Sequence, residues 1–205
     1  MKKIIFARHA ESEANAGGLS KPNEIVELTE KGLAQAQTLA DEWLETPSQI
    51  YVSKFIRTTQ TATPLMQKYD MEPVKFSGLN EFNTFGYEFV EGLIGEERLP
   101  LAIAYWDEAD PDARRGETGQ TYNEFCAQVS DFMPLLFTLE DNSAIVGHGL
   151  WITQLMWQTL GFGSKVVDSQ SMKAFMKFHM ALHVGNTQKF NLYLTDDQIF
   201  VQKHG

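Results

Sequence analysis

Ile4-Ile5-Phe6-Ala7, followed by Arg8-His9-Ala10-Glu11-Ser12-Glu13-Ala14-Asn15, is the stretch on which the reading of this chain turns. The apolar run is short, β-branched and aromatic, and is bounded by Lys3 and Arg8. That pattern predicts a buried strand. Arg8 and His9 then stand at its carboxyl end, where open α/β sheets gather their ligands. A cation beside an imidazole at such a place points to an anionic substrate and to a nucleophile or base. The same dipeptide can simply end a strand, so the octet needs support from the rest of the chain.

The 205 residues are expected to form one domain spanning 1–205, with room for a full core. The chain is 43% apolar and 21% charged, an ordinary globular composition. Seventeen basic and 27 acidic residues give a net charge of −10, which argues against nonspecific binding to nucleic acid or to an anionic membrane. A small anionic substrate stays open, because a pocket's field depends on its own residues. The single Cys126 excludes an internal disulfide and a Cys-rich zinc site. The first apolar run stops at Arg8, too soon for a signal peptide, and no stretch is long enough to span a membrane. A soluble cytoplasmic protein is expected. The oligomeric state is not specified by the sequence.

Other strand and helix signals alternate along the chain. Thr29 is a plausible N-cap for a first helix, with Leu33, Ala36, Ala40, Trp43 and Leu44 on one face and Pro47-Ser48 at its end. Gly32 inside it costs about 1 kcal/mol against Ala unless a close approach compensates. Gln49 to Val52 reads as a second strand that leads to Ser53. A helix follows from Lys54 to Tyr69, which Pro64 kinks or ends. Arg57 lies in its first turn, where the helix dipole disfavours a cation, so an anionic partner is attractive. Pro73 to Phe76 is a third strand, with Leu79-Asn80-Glu81-Phe82 beyond it.

Residues 83–120 are irregular, with one helix expected around Leu99 to Ala109. So long a segment is expected to be an insertion serving as a lid or specificity region. Arg114-Arg115 within it reads as a contact to a second anionic group or, preferably, as charges balancing nearby acids. Thr121 and Glu124 fit a capping box that opens a helix carrying Phe125, Val129, Phe132, Met133 and Leu136, with Cys126 as core packing. Ser143 to Val146 is a fourth strand. Gly147-His148-Gly149 ends it, and a helix from Leu150 to Leu160 is closed by Gly161. Backbone N–H groups at that helix start can hold an anion. The C-terminal region reads as strand, including Phe178 to Val184 and a hairpin around Thr195-Asp196-Asp197. His179 and His183 are spaced as on a metal-binding helix, but the segment reads as strand and lacks the glutamate of a metalloprotease motif, so no metal site and no cofactor are expected.

Four strand ends therefore carry Arg8-His9, Ser53 leading to Arg57, Glu81, and His148. In a mostly parallel sheet they lie on one edge. Arginine forks hold phosphate oxygens, one imidazole can attack phosphorus, a second can stabilise charge, and a carboxyl group can protonate a leaving oxygen. At this point the sequence resembles the histidine phosphatase superfamily, also called phosphoglycerate mutase-like. The family's Arg-His-Gly-Glu-Ser/Thr-x-x-Asn resembles Arg8 through Asn15. Its Leu-Thr-x-x-Gly-x-x-Gln-Ala resembles Leu28 through Ala36, and its Ser-x-x-x-Arg-x-x-Gln-Thr-Ala resembles Ser53 through Ala62. Leu79-Asn80-Glu81 resembles the acid segment, Gly116-Glu117-Thr118 the Gly-Glu-Ser, and Val146-Gly147-His148-Gly149 the second-histidine motif. Asn186 resembles a late asparagine.

The resemblance implies a three-layer α/β fold, with a mostly parallel central sheet, helices on both faces and a lid-like insertion at about 83–120. It implies a metal-independent phosphomonoester hydrolase acting on a small phosphorylated substrate. His9 would be phosphorylated, Glu81 would donate the proton, and Arg8, Asn15, Arg57, His148 and Gly149 would surround the phosphoryl group. Ala10 departs from the family's commoner glycine, and the arginine often seen after Gly-Glu-Ser is missing from the helix that begins at Thr121. A phosphoglycerate mutase, a phosphohistidine phosphatase and a non-catalytic phospholigand-binding module remain the alternatives. The loop after Asn15 lacks the longer aromatic segment of mutases.

Overall fold

The computed structural model describes residues 1–163 and 167–204. In chain order its elements are β1 (Lys2–Arg8), α1 (Glu30–Asp41), β2 (Ile50–Val52), α2 (Ile56–Tyr69), β3 (Pro73–Lys75), α3 (Tyr87–Val90), α4 (Gly95–Glu108), α5 (Tyr122–Leu136), β4 (Ser143–Gly147), α6 (Gly149–Thr159), α7 (Ser169–Leu182), β5 (Lys189–Leu194) and β6 (Ile199–Lys203). One sheet takes all six strands in the order β3-β2-β4-β1-β5-β6. The first four are parallel, and the C-terminal hairpin adds β5 and β6 antiparallel.

Side-chain alternation along the strands divides the core between two faces. Ile4, Phe6 and Ile145 share one cluster with Phe132 of α5, Trp151 of α6 and Phe175 of α7. The Phe6 and Trp151 rings stack with centroids 5.6 Å apart. Ala7, Ile50, Val52, Ala144 and Val146 share the other with Leu39 and Ala40 of α1 and Ala62 and Leu65 of α2. Helices therefore cover both faces, giving the expected three layers. Among the described residues no helix is long and apolar enough to cross a membrane.

Local signals account for several element ends. Thr29 caps α1, its Oγ1 accepting the Gly32 N–H at 3.0 Å. The Thr121–Glu124 capping box opens α5 as expected. Gly32 does have a close approach: a Cβ there would lie 2.0 Å from the Glu11 carbonyl oxygen. Overpacking of about 1–3 kcal/mol then outweighs the helix-propensity gain of about 1 kcal/mol. Gly32→Ala is expected to lower the urea midpoint, and a raised midpoint would mean that α1 backs away from the loop freely.

Several expectations need correction. Phe178 to Leu182 is the last part of α7, not a strand, and His183 ends it in the left-handed region at φ 46°. Asp168 caps that helix through the Ser171 N–H, and its buried face is Met172 and Phe175, a spacing that lies upstream of the short window read as strand. In α1 the buried face is Gly32, Ala36, Leu39 and Ala40, so Leu33 and Leu44 are exposed, and the helix stops at Asp41. Pro64 neither ends α2 nor lies outside it. The helix expected from Leu99 starts a turn earlier, where Glu97 accepts the Ile94 N–H at 2.9 Å.

Candidate active site

Parallel register aligns the carboxyl ends of three strands. Arg8 pairs with Gly147, and Val52 with Val146, so His9, Ser53 and His148 leave the sheet side by side. The His9 N–H still donates to the Gly147 carbonyl at 2.9 Å. Glu81 arrives from β3 through a 3-10 turn at Ser77–Leu79, and Arg57 comes from the first turn of α2.

Residues around the octet fix its path. Thr61 Oγ1 accepts the Ala10 N–H at 3.0 Å and donates to the Arg57 carbonyl at 2.7 Å. Gln35 Oε1 accepts the Glu11 N–H, and Gln60 Oε1 accepts the Leu28 N–H, both at 2.8 Å. Thr29 Oγ1 donates to the Glu11 carboxylate, which also pairs with Lys31. Asn15 Oδ1 accepts from the Ser12 N–H at 3.2 Å, and Asn186 Nδ2 donates to both Asn15 Oδ1 and the His9 carbonyl. Thr29 is expected from the sequence as a helix cap, whereas Thr61, Gln35 and Gln60 lie inside the quoted motifs with no role that the sequence alone assigns. Their structural work is to hold the loop that presents His9.

At the centre, His9 is only 4% exposed and His148 is fully buried, with their rings edge to face 5.1 Å apart. His9 Nδ1 lies 2.7 Å from the Ala10 carbonyl, an acceptor that requires the proton on Nδ1 and leaves the Nε2 lone pair free. Burial, then the charges of Arg57 and Arg8, hold the His9 imidazole well below the usual histidine range. His148 Nε2 is 2.8 Å from Ser53 Oγ, and burial followed by Arg57, His9 and Arg8 keeps this ring neutral as well. Arg57 is buried, lies over the Phe55 ring and donates to the Asn23 carbonyl at 2.9 Å. Burial pushes its pKa down to about 10. Arg8 donates through Nη1 to the Val184 carbonyl at 2.6 Å. Gly149 sits against this side chain, where a Cβ would fall 3.2 Å from Arg8 Nε.

Glu81 occupies the start of α6. Its carboxylate accepts the Leu150 and Trp151 N–H groups, each at 3.0 Å, and the Phe82 N–H at 3.1 Å. Burial raises its pKa, while the Leu150 and Phe82 N–H groups, then Arg57 and Arg8, oppose the rise.

Three further sequence candidates are engaged with protein partners. Arg114 pairs with Glu124, and Arg115 with Glu108, in keeping with the charge-balancing reading. His179 Nδ1 is 3.0 Å from Thr153 Oγ1, and among the described residues no group of three or more His, Cys, Asp or Glu is arranged to hold a metal ion.

Comparison with known proteins gives concordant findings. Residues 4–176 match the sequence model of the histidine phosphatase superfamily, branch 1. Over 153 residues the chain is 28% identical to the adenosylcobalamin/alpha-ribazole phosphatase of Salmonella typhimurium, covering 71% of this chain and 73% of that one. A crystal structure of Entamoeba histolytica phosphoserine phosphatase with 3-phosphoglyceric acid superposes with a TM-score of 0.74 at 21% identity, over 100% of this chain and 98% of that one. The alpha-ribazole phosphatase of Shigella flexneri gives a TM-score of 0.73 at 19% identity, over 98% and 95%.

Proposed function

The chain belongs to the histidine phosphatase superfamily, branch 1, and is a phosphatase of that family; from there we propose that it hydrolyses phosphomonoesters without a metal ion, through a phosphohistidine on His9. One observation carries this reading. Arg8 and His148 both neighbour His9, and one buried polar atom of each, Arg8 Nε and His148 Nδ1, has no hydrogen-bond partner among the described residues. Such atoms are costly unless a ligand satisfies them. A phosphoryl group satisfies both, and the guanidinium groups of half-buried Arg8 and buried Arg57 supply the positive charge it needs.

In the first step the Nε2 lone pair of His9 attacks phosphorus and the P–O bond to the alcohol breaks. The alcohol oxygen takes a proton from Glu81. In the second step a water attacks phosphorus, gives its proton to Glu81 and breaks the P–N bond, releasing inorganic phosphate and neutral His9. Arg8, Arg57, His148 and the Asn15 side chain hold the equatorial oxygens, where charge builds. Asn186 and Gly149 position Asn15 and Arg8. Residues 83–120 act as a lid over the alcohol part of the substrate.

The substrates are phosphorylated small molecules, and the relatives' names make alpha-ribazole phosphate and phosphoserine the first esters to assay. A short pulse with a 32P-labelled ester, quenched in denaturant, is expected to leave label on the protein that is stable in alkali and lost in acid. Exhaustive chelation is expected to leave turnover intact. Turnover without any trapped label, or strict and reversible dependence on an added divalent ion, would overturn the mechanism.

A further inference from the structure

The alcohol half of the ester has its own walls. Two recesses of about 470 and 310 Å³ share Glu24, Asn83 and Thr118. The smaller reaches Glu81 and Phe55, next to Arg57. The larger runs on between residues 19–26 and 82–90. An alcohol leaving phosphorus past Glu81 therefore departs through them.

The cations on these walls are already engaged. Lys21 Nζ donates to Glu13 Oε2 at 2.6 Å. Arg98 Nη1 donates to the Gly18 carbonyl and Ser20 Oγ at 2.9 Å and to the Leu93 carbonyl at 3.1 Å. Arg114 is held by Glu124 and the Gly119 carbonyl. The carboxylates are balanced differently. Glu88 accepts only neutral donors, the N–H and Oγ1 of Thr118, both at 2.7 Å. Glu24 is exposed, has no hydrogen bond or ion pair among the described residues, and acts on the Arg57 guanidinium only at longer range. Phe82, Phe85 and Tyr87 supply aromatic surface on the same walls.

We infer that the alcohol this site accepts is uncharged and carries a ring, and that Glu24 disfavours an alcohol bearing a second anionic group. This rests on the phosphatase reading above. Aromatic walls favour a ring by burial and stacking. A carboxylate or second phosphate on the alcohol meets Glu24 and Glu88, while Lys21 and Arg114 already face Glu13 and Glu124 and Arg98 Nη1 is turned to backbone and Ser20 oxygens, so little positive charge is directed at it to offset its lost hydration.

The test is a pair of nearly isosteric esters, 4-carbamoylphenyl phosphate and 4-carboxyphenyl phosphate, compared by kcat/KM in low salt. The wild-type protein is expected to prefer the carbamoyl ester by about 5- to 10-fold, with the preference shrinking as salt is added. Glu24→Gln is expected to narrow the ratio, Glu24→Asp to keep it, and Glu24→Lys to reverse it. A purely structural role for Glu24 would lower both substrates together. Equal turnover of the two esters by wild type, or a ratio that Glu24→Gln leaves unchanged, overturns the inference and leaves the phosphatase reading standing. Turnover of neither ester, with no trapped phosphoenzyme, removes both.

Discussion

His9→Ala is expected to lose about 10⁴-fold or more in kcat, the scale seen when a covalent nucleophile is deleted. Among the described residues no other side chain is placed to substitute. His148 is the nearest imidazole, but its Nε2 faces Ser53 and its ring lies edge-on at 5.1 Å. Direct attack by water remains, aided by two guanidinium groups, so some slow turnover should persist. Arg8 and Arg57 are untouched by the substitution, so orthovanadate should still bind, which separates a lost nucleophile from a misfolded protein. The measurement is steady-state kinetics together with vanadate affinity and the labelled-pulse experiment. Turnover within about 10-fold of wild type, in a variant that binds vanadate normally, would place the nucleophile elsewhere.

Glu81→Gln is expected to divide substrates by leaving group. A general acid contributes about 10²–10⁴ in rate when the departing oxygen is a poor leaving group. Alkyl phosphates should therefore lose about that much, while 4-nitrophenyl phosphate, whose phenolate departs without a proton, should keep most of its rate. The structure adds a cost that the sequence did not reveal. Glu81 satisfies the Leu150, Trp151 and Phe82 N–H groups. A carboxamide turns one donor toward these donors and strands at least one of them, at about 1–3 kcal/mol. That loss lowers stability and affects both substrates alike. The ratio of the two kcat/KM values is therefore the diagnostic quantity. An unchanged ratio would remove Glu81 from the acid role, and Glu117 would be the next residue to test. The sign of the pH effect follows from burial. Because the Glu81 pKa is raised, the acid form persists to higher pH than in an ordinary glutamic acid, and its loss cuts alkyl-ester turnover on the alkaline side.

Strand-end residues were the readable part of the sequence. Ile4 to Ala7 and Ser143 to Val146 are short, apolar and β-branched, so their positions fixed Arg8, His9 and His148 without tertiary information. Glu81 was harder, since a 3-10 turn separates it from β3. Its three amide partners come from its own neighbour and from a helix about 70 residues away, a relation with no local periodicity. The same holds for Glu24 and Asn23. They lie in a three-residue 3-10 turn, Asn23–Ile25, and only the packing of α2 brings the Asn23 carbonyl to Arg57. The reading of Phe178 to Val184 as strand failed because the short window hid the helical spacing from Met172. Leu33 and Leu44 misled because hydrophobic residues are not excluded from the surface.

The position of β1 governs how the chain can be made. It lies between β4 and β5, with Ile4 opposite both Ser143 and Leu192. During synthesis β1 waits for partners about 140 and 190 residues behind it, so its pairing is dominated by distant contacts, which form slowly. Until β4 and the C-terminal hairpin arrive, both edges of β1 offer unpaired N–H and C=O groups to any neighbouring strand. His9 draws its N–H partner from Gly147 and its carbonyl partner from Asn186. The phosphoryl pocket therefore cannot be complete until the chain has been made past residue 186, and a nascent chain that stops before it has the motif but not the site.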